Sequence, residues 1–180
     1  RSPYSASKAA SDHLVNAWHH TYGLPIIITN CSNNYGPWQY PEKLIPVIIK
    51  KAINQEKIPI YGDGLNIRDW LYVEDHVSAL FKVLEKGTIG ESYCIGGNNE
   101  ITNIELAKYI CKLLDKKLPI SFSYINLIEF IEDRLGHDKR YAIDAEKMKN
   151  CLGWEPETTF ERGIEITLNW YLENSYWLKK

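Results

Sequence analysis

The apolar positions of the chain alternate between two spacings. Ala10, Leu14, Trp18 and Tyr22 recur every four residues, behind Ser2-Pro3 (a cap followed by a first-turn proline) and ahead of Gly23 and Pro25. This predicts one long helix over about 3–22. Ile26-Ile27-Ile28-Thr29-Asn30 is a continuous β-branched run, of the kind found in strands covered on both faces of a parallel sheet. The carboxyl ends of such strands are where open α/β sheets place ligands. A loop rich in Gly, Pro, Asn and Tyr follows over 32–41, and then Leu44, Val47, Ile48 and Ala52 predict a helix over 43–55. Short strands are predicted at 58–61, 70–73 and 91–97, with the turn Gly62-Asp63-Gly64 after the first and a helix over 75–85 before the last. Alternation of this kind indicates α/β layers. From Ile101 on, helices dominate: Thr102 with Glu105 and Thr158 with Glu161 fit the capping-box pattern, opening helices that run through Leu114 and Trp177. Between them, 122–125 reads as a strand, 133–144 as a charged loop and 145–152 as a short helix. There is no internal repeat, low-complexity tract or linker.

With 180 residues, 44% hydrophobic and 24% charged, the chain has globular composition, which removes disordered, collagen-like and coiled-coil classes. The balance of 21 Lys+Arg against 23 Asp+Glu gives no broad field for nucleic acid or an anionic membrane. Small-molecule chemistry is the better expectation. No apolar run reaches the roughly 18 residues of a membrane span, and the first residues lack the apolar core of a signal peptide, so a cytoplasmic location is expected. Cys31, Cys94, Cys111 and Cys151 form no close pair and have no His at metal-ligand spacing. No disulfide and no metal site is expected, and Cys31, Cys94 and Cys111 read as small buried hydrophobes. The Asn30-Cys31-Ser32 sequon carries no weight in a cytoplasmic chain. The chain does not start with Met, and its single methionine is Met148. A piece of something longer is expected, since the length fits either one domain or half of a two-domain enzyme.

Tyr4 and Lys8 stand four apart on the first helix, on one face, with Cβ atoms about 5–6 Å apart. A phenol titrating near 10 is a poor base at neutral pH, and each unit of depression requires about 1.4 kcal/mol. A cation roughly 4 Å away supplies on the order of 4 kcal/mol at an effective dielectric of 20, less what desolvation takes back. A solvent-facing Tyr/Lys pair without function has the same spacing. The loop after the first strand changes the weighing, because Asn33-Asn34-Tyr35-Gly36-Pro37 sits at the carboxyl end of a predicted parallel strand. The order Tyr-x-x-x-Lys, helix, strand, Asn-Asn-Tyr-Gly-Pro resembles the extended short-chain dehydrogenase/reductase family. Within it, Asn30 to Pro37, Pro41-Glu42-Lys43-Leu44-Ile45-Pro46, Pro59-Ile60-Tyr61-Gly62, Arg68 to His76, Gly136-His137-Asp138 and Arg140-Tyr141-Ala142-Ile143-Asp144 resemble the dTDP-glucose 4,6-dehydratases. These runs cover the chain nearly end to end.

The resemblance implies roles for the matching positions. Tyr4 would be the base at the sugar 4-hydroxyl while hydride passes to NAD, and Lys8 would lower its pKa and hold the nicotinamide ribose. Asn34 would contact the cofactor, and Asn33 and Lys43 the sugar nucleotide. The backbone at Leu44 would take the phosphates, Pro59 and Tyr61 would line the thymine pocket, and Arg68, Asn103, Arg134 and His137 would bind the diphosphate and nucleoside end. Arg68 and Arg134 do offer planar forks suited to a diphosphate, and Tyr61 a stacking face. The alternatives stay open: Arg68 paired only with Asp69, Arg134 on a solvated loop with Asp133 and Asp138, and Tyr61 in the core. Leu135 stands where the family commonly has proline. Adjacent His19 and His20 point in different directions and make a poor metal pair. The resemblance also implies a homodimer through the Tyr4–Lys8 helix, with Trp18 or Tyr22 against the partner; a core role fits those two residues equally well.

The chain has no Gly-x-x-Gly-x-x-Gly turn after a first strand. The implied fold is therefore α/β, the C-terminal part of an NAD(P)-binding Rossmann-type extended short-chain dehydrogenase with its mixed α/β substrate-binding domain. Residues 1–34 and 69–97 are expected as the remnant of the cofactor domain, and 35–68 and 98–180 as the sugar-nucleotide domain. The cofactor cradle and the Asp-Glu pair for water elimination are expected before Arg1, leaving this piece inactive alone. A sister sugar-nucleotide 4-epimerase or UDP-glucuronate decarboxylase, and a non-catalytic sugar-nucleotide-binding module, are the other readings.

Overall fold

The computed structural model describes residues 2–179. Helix α1 spans Pro3–Tyr22 as the spacing predicts: the Ser2 hydroxyl accepts from the Ser5 amide, Pro3 opens the first turn, and Gly23 closes the helix in the left-handed conformation. Among the described residues its apolar stripe is left exposed. Leu14, Trp18 and Tyr22 are 62%, 54% and 71% exposed, so a core role for Trp18 or Tyr22 is excluded within these residues. Strand β1 (Ile28–Cys31) follows, shorter than its β-branched run, and only Ile28 in it is buried.

The 32–41 stretch is not all loop. Asn33–Tyr35 forms strand β2, which carries the chain from one sheet into a second. Helix α2 (Leu44–Ile53), strand β3 (Ile58–Tyr61), strand β4 (Ile67–Tyr72), helix α3 (Val73–Lys86) and strand β5 (Ser92–Ile95) come next. After the unpredicted short strand β6 (Glu100–Thr102), helix α4 (Asn103–Lys117) opens on a complete capping box between Thr102 and Glu105. The strand expected at 122–125 is absent. The Asp115 carboxylate there accepts from the Ser123 hydroxyl and the Tyr124 amide, and the Ser123 hydroxyl from Ile125. Those bonds wind the chain into a 3₁₀ turn, Tyr124–Leu127, before strand β7 (Ile128–Ile131). The charged loop contains a two-residue strand, β8 (Arg140–Tyr141), and helix α5 is Glu146–Leu152. Helix α6 (Phe160–Glu173) is capped by Thr159 rather than Thr158, whose amide is taken by the Asp75 carboxylate; the chain then ends in a 3₁₀ segment, Ser175–Lys179.

Strands β1 and β5 pair in parallel, β2 pairs in parallel with β4, β4 runs antiparallel to β6 and parallel to β8, and β3 pairs in parallel with β7. Strand β4 separates two cores. Trp70 and Tyr72 enter the larger, with Tyr35, Ile48, Leu106, Ile110 and Leu168, whereas Leu71 between them enters the smaller, with Val83, Tyr93, Ile95, Met148 and Trp154. That alternation is the period of two of a strand covered on both faces. Of the cysteines, Cys111 is fully buried and its thiol is pushed up to about 12 by burial. Cys31 and Cys94 are only half-buried, short of the burial expected for them. Among the described residues no helix is long and apolar enough to cross a membrane, and no cluster of His, Cys, Asp and Glu suits a metal.

Candidate functional site

The carboxyl end of β3 and the segment after β7 build one compact group. Tyr61 ends β3 with its ring 38% exposed, so it is not core. The Arg134 guanidinium carbon lies 4.9 Å from the ring centre, a cation–π contact, and the His137 ring meets Tyr61 edge-on at 6.4 Å. His137 Nδ1 lies 2.6 Å from Asp133 Oδ1 and its Nε2 3.2 Å from Arg134 Nη2. A carboxylate only accepts and a guanidinium only donates, so these contacts assign the proton to Nδ1 and make Nε2 the acceptor. The bond from His137, foremost, holds the Asp133 carboxyl below the usual carboxylate range. Gly136, with φ of +70°, turns the chain so that the imidazole faces back over Asp133, and Leu135 beside it is fully exposed.

Arg68 reaches the same group from β4. It does not pair with Asp69, because Asp69 is buried and accepts instead from the amides of Gly97 (2.9 Å) and Asn99 (2.7 Å). Among the described residues the Arg68 guanidinium donates only to the backbone carbonyls of Ile67 (2.7 Å) and Asp138 (2.8 Å). Partial burial draws its pKa down, and nearby Arg134 adds to this while Asp138 and Asp133 oppose it. An arginine keeps its proton regardless. The result is a half-buried cation with no carboxylate in ion-pair contact among the described residues, near a second guanidinium and an aromatic face. That set is suited to a diphosphate attached to a base.

Asn103 opens α4 next to this group, its amide donating to the Asn66 carbonyl at 3.1 Å. Its side chain is buried and Oδ1 has no donor. Pro59 lies on β3 opposite Glu129. Lys43 and Leu44 stand at the start of α2, where no side chain caps the helix and the Lys43 ammonium is exposed beside Glu42 (3.0 Å). Open amides at a helix start suit phosphate oxygens.

Asn33 and Asn34 lie on β2 opposite Trp70 and Leu71. Asn34 Nδ2 donates to the Ser32 carbonyl (3.1 Å) and Cys31 Sγ (3.3 Å), while its Oδ1 is buried and unpartnered. The strand is braced from behind by residues that sequence reasoning did not single out. Gln39 Nε2 donates to the Asn34 carbonyl (2.8 Å), and the Gln39 carbonyl accepts from Tyr171 Oη (2.7 Å) and Trp177 Nε1 (3.1 Å). No spacing rule connects residue 39 with 171 and 177.

Tyr4 and Lys8 stand apart. Both are exposed, Tyr4 at 72%, and no hydrogen bond or ion pair joins either to another of the expected site residues. Helix α1 is tied to the end of β1 by Asn30 Nδ2 donating to Asp12 Oδ2 (3.1 Å). Thus Tyr61, Arg68, Arg134, His137 and Asn103 form one neighbourhood, Asn33 and Asn34 a second beside it, and Tyr4 with Lys8 a third. A hollow of about 600 Å³ lined by Asn98, Glu100, Arg140, Asp144, Lys149 and Trp154 includes none of them.

A family model described as GDP-mannose 4,6 dehydratase matches residues 1–167. The chain is 59% identical over 177 residues to "dTDP-glucose 4,6-dehydratase 1" of Escherichia coli (strain K12), covering 98% of this chain and 49% of that protein. Among solved structures it is similar to the dTDP-glucose 4,6-dehydratase of Bacillus anthracis in complex with NAD, at 54% identity and a TM-score of 0.90, covering 99% of this chain and 55% of that one. It is also similar to the UDP-glucuronic acid 4-epimerase of Bacillus cereus in complex with UDP-glucuronic acid and NAD, at 27% identity and a TM-score of 0.84, covering 96% and 53%. The chain spans about half the length of the curated relatives it matches.

Proposed function

The chain belongs to the GDP-mannose 4,6 dehydratase family, and on that premise we propose that it forms the base-bearing and sugar-nucleotide-binding part of a dTDP-glucose 4,6-dehydratase. The observation that carries this reading is the Arg68 guanidinium, satisfied only by backbone carbonyls and near Arg134 and the Tyr61 face. The diphosphate of dTDP-glucose takes Arg68 and Arg134, with His137 holding Arg134 in place. The thymine lies by Tyr61 and Pro59, Asn103 Oδ1 accepts from the nucleoside end, and Leu44 with Lys43 closes on the phosphates and sugar. Asn33 holds the sugar. The buried, donor-less Oδ1 of Asn34 fits an amide N–H of a nicotinamide. NAD, when bound, would supply the acceptor for hydride from C4 of the sugar and the hydride returned to C6. Tyr4 removes the 4-hydroxyl proton as that hydride leaves, and Lys8 one turn away stabilises the phenolate and holds the nicotinamide ribose. The acid and base that take water from C5 and C6 are expected in the half of the relatives' length that this chain does not span.

Identity of 54–59% to dehydratases against 27% to a UDP-sugar epimerase supports a dehydratase over its sister activities. In the same reading, residues 1–34 and 69–97 belong to the cofactor domain and 35–68 and 98–180 to the sugar-nucleotide domain, and two copies pair through the exposed stripe of α1 in the cytoplasm. Tyr4→Phe in the full-length gene product is expected to abolish C4 oxidation and leave the affinity for dTDP within about twofold. Unchanged turnover in that variant would remove Tyr4 from the mechanism. The 180-residue chain alone, given NAD, is expected not to dehydrate dTDP-glucose.

A further inference from the structure

Among the described residues, the one side-chain hydrogen bond that crosses from the anion-binding segment to the end of β1 is made by a tyrosine to which the family motifs assign nothing. Tyr141 Oη donates to the Cys31 carbonyl at 3.2 Å, across 110 residues of sequence. Tyr141 itself is placed by β8, where it registers with Arg68 and its neighbour Arg140 with Ile67. The chain before it supplies the Asp138 carbonyl, which accepts from both Arg68 Nη2 and Asn66 Nδ2 (2.8 and 3.3 Å). At the other end, Cys31 is followed by Ser32, Asn33 and Asn34, and the Asn34 amide is bonded back to Cys31 Sγ and the Ser32 carbonyl. The phenol therefore spans the gap between the diphosphate neighbourhood and the Asn33–Asn34 neighbourhood. Burial raises its pKa above the usual tyrosine range, so it remains an O–H donor at neutral pH.

We propose that Tyr141 is a positioning residue: its hydroxyl fixes the anion-binding segment 133–141 relative to the carboxyl end of β1, and so sets the register of the sugar against Tyr4 and Asn33 once the nucleotide is held by Arg68 and Arg134. What the positioned groups do rests on the dehydratase reading above; the span itself does not. Positioning of this kind acts on the reacting end of the ligand. The nucleotide end keeps all its partners when the bond is cut, whereas the sugar loses its alignment, and misplacements of about 1 Å cost on the order of a hundredfold in rate.

The test is Tyr141→Phe in the full-length gene product, which keeps the ring and removes the one bond. Hydrogen exchange is expected to quicken in peptides covering 31–35 and 133–141, with other segments and the thermal midpoint unchanged. In dTDP-glucose turnover, kcat falls roughly tenfold or more while dTDP affinity stays within about twofold. Exchange unchanged in both peptides overturns the proposal, and so does a lowered midpoint with exchange raised throughout, which is the signature of a merely structural residue. A parent protein that does not dehydrate dTDP-glucose would sink the dehydratase reading alone, and the span would then stand or fall on the exchange data.

Discussion

At the scale of single residues, Asp69 decides what its neighbour Arg68 is free to do. Its carboxylate is buried against the amides of Gly97 and Asn99 at 2.9 and 2.7 Å, so it forms no ion pair with the guanidinium next to it in sequence, which donates to backbone carbonyls instead. Asp69→Ala leaves two amides without an acceptor. At roughly 1–3 kcal/mol for each unmade buried bond, the variant is expected to lose about 3 kcal/mol in urea unfolding. A loss below about 0.5 kcal/mol would mean that solvent or a side chain takes over the amides. Charge, planarity and aromatic character made Arg68, Arg134 and Tyr61 legible in the sequence as candidates for a nucleotide diphosphate. Their mutual distances were not, because the chain between residues 61 and 134 traverses four strands and two α-helices before it returns. Gln39 and Tyr141 were illegible as partners for the same reason: each acts through a contact that no periodicity encodes.

At the scale of elements, capping and spacing signals worked where the bonds are local. The Ser2-Pro3 start and Gly23 stop of α1 and the Thr102/Glu105 box of α4 are realised as the residues suggest. Thr158/Glu161 misled by one residue because Asp75, distant in sequence, takes the Thr158 amide and leaves Thr159 as the cap. Strand β2 was hidden in a run of Asn, Tyr, Gly and Pro with no apolar alternation. It extends because β4 offers it a parallel edge, and Gly36 beyond it passes so close to Val73 that a Cβ would lie 2.5 Å from its Cγ1. The α4 box also bears on function, since Asn103 is the first residue of that helix. Thr102→Ala is expected to cost about 1 kcal/mol of stability and to weaken dTDP binding severalfold with kcat at saturation retained. Thermal unfolding with titration of dTDP separates the two effects, and an unchanged dTDP affinity would detach Asn103 from the nucleotide.

At the scale of the whole molecule, the α/β class and the order of the main helices followed from alternating periods and punctuation by Gly and Pro, whereas strands β2, β6, β7 and β8 did not. The division into two cores did not, because it depends on which face of β4 each element covers. The long helix α1 shows the limit most clearly. Its amphipathic spacing correctly gave a helix, yet the stripe it presents is exposed among the described residues, so spacing predicts that a face is to be covered and not by what. In the proposed enzyme that helix brings Tyr4 and Lys8 to a sugar held by strands β2 to β4 and β8. The most direct measurement is mass spectrometry of dTDP-glucose incubated with the full-length gene product and NAD. The account predicts a product lighter by one water, formed without net consumption of NAD. A product of unchanged mass, as a 4-epimerase would give, or no conversion by folded protein with NAD bound, would contradict it.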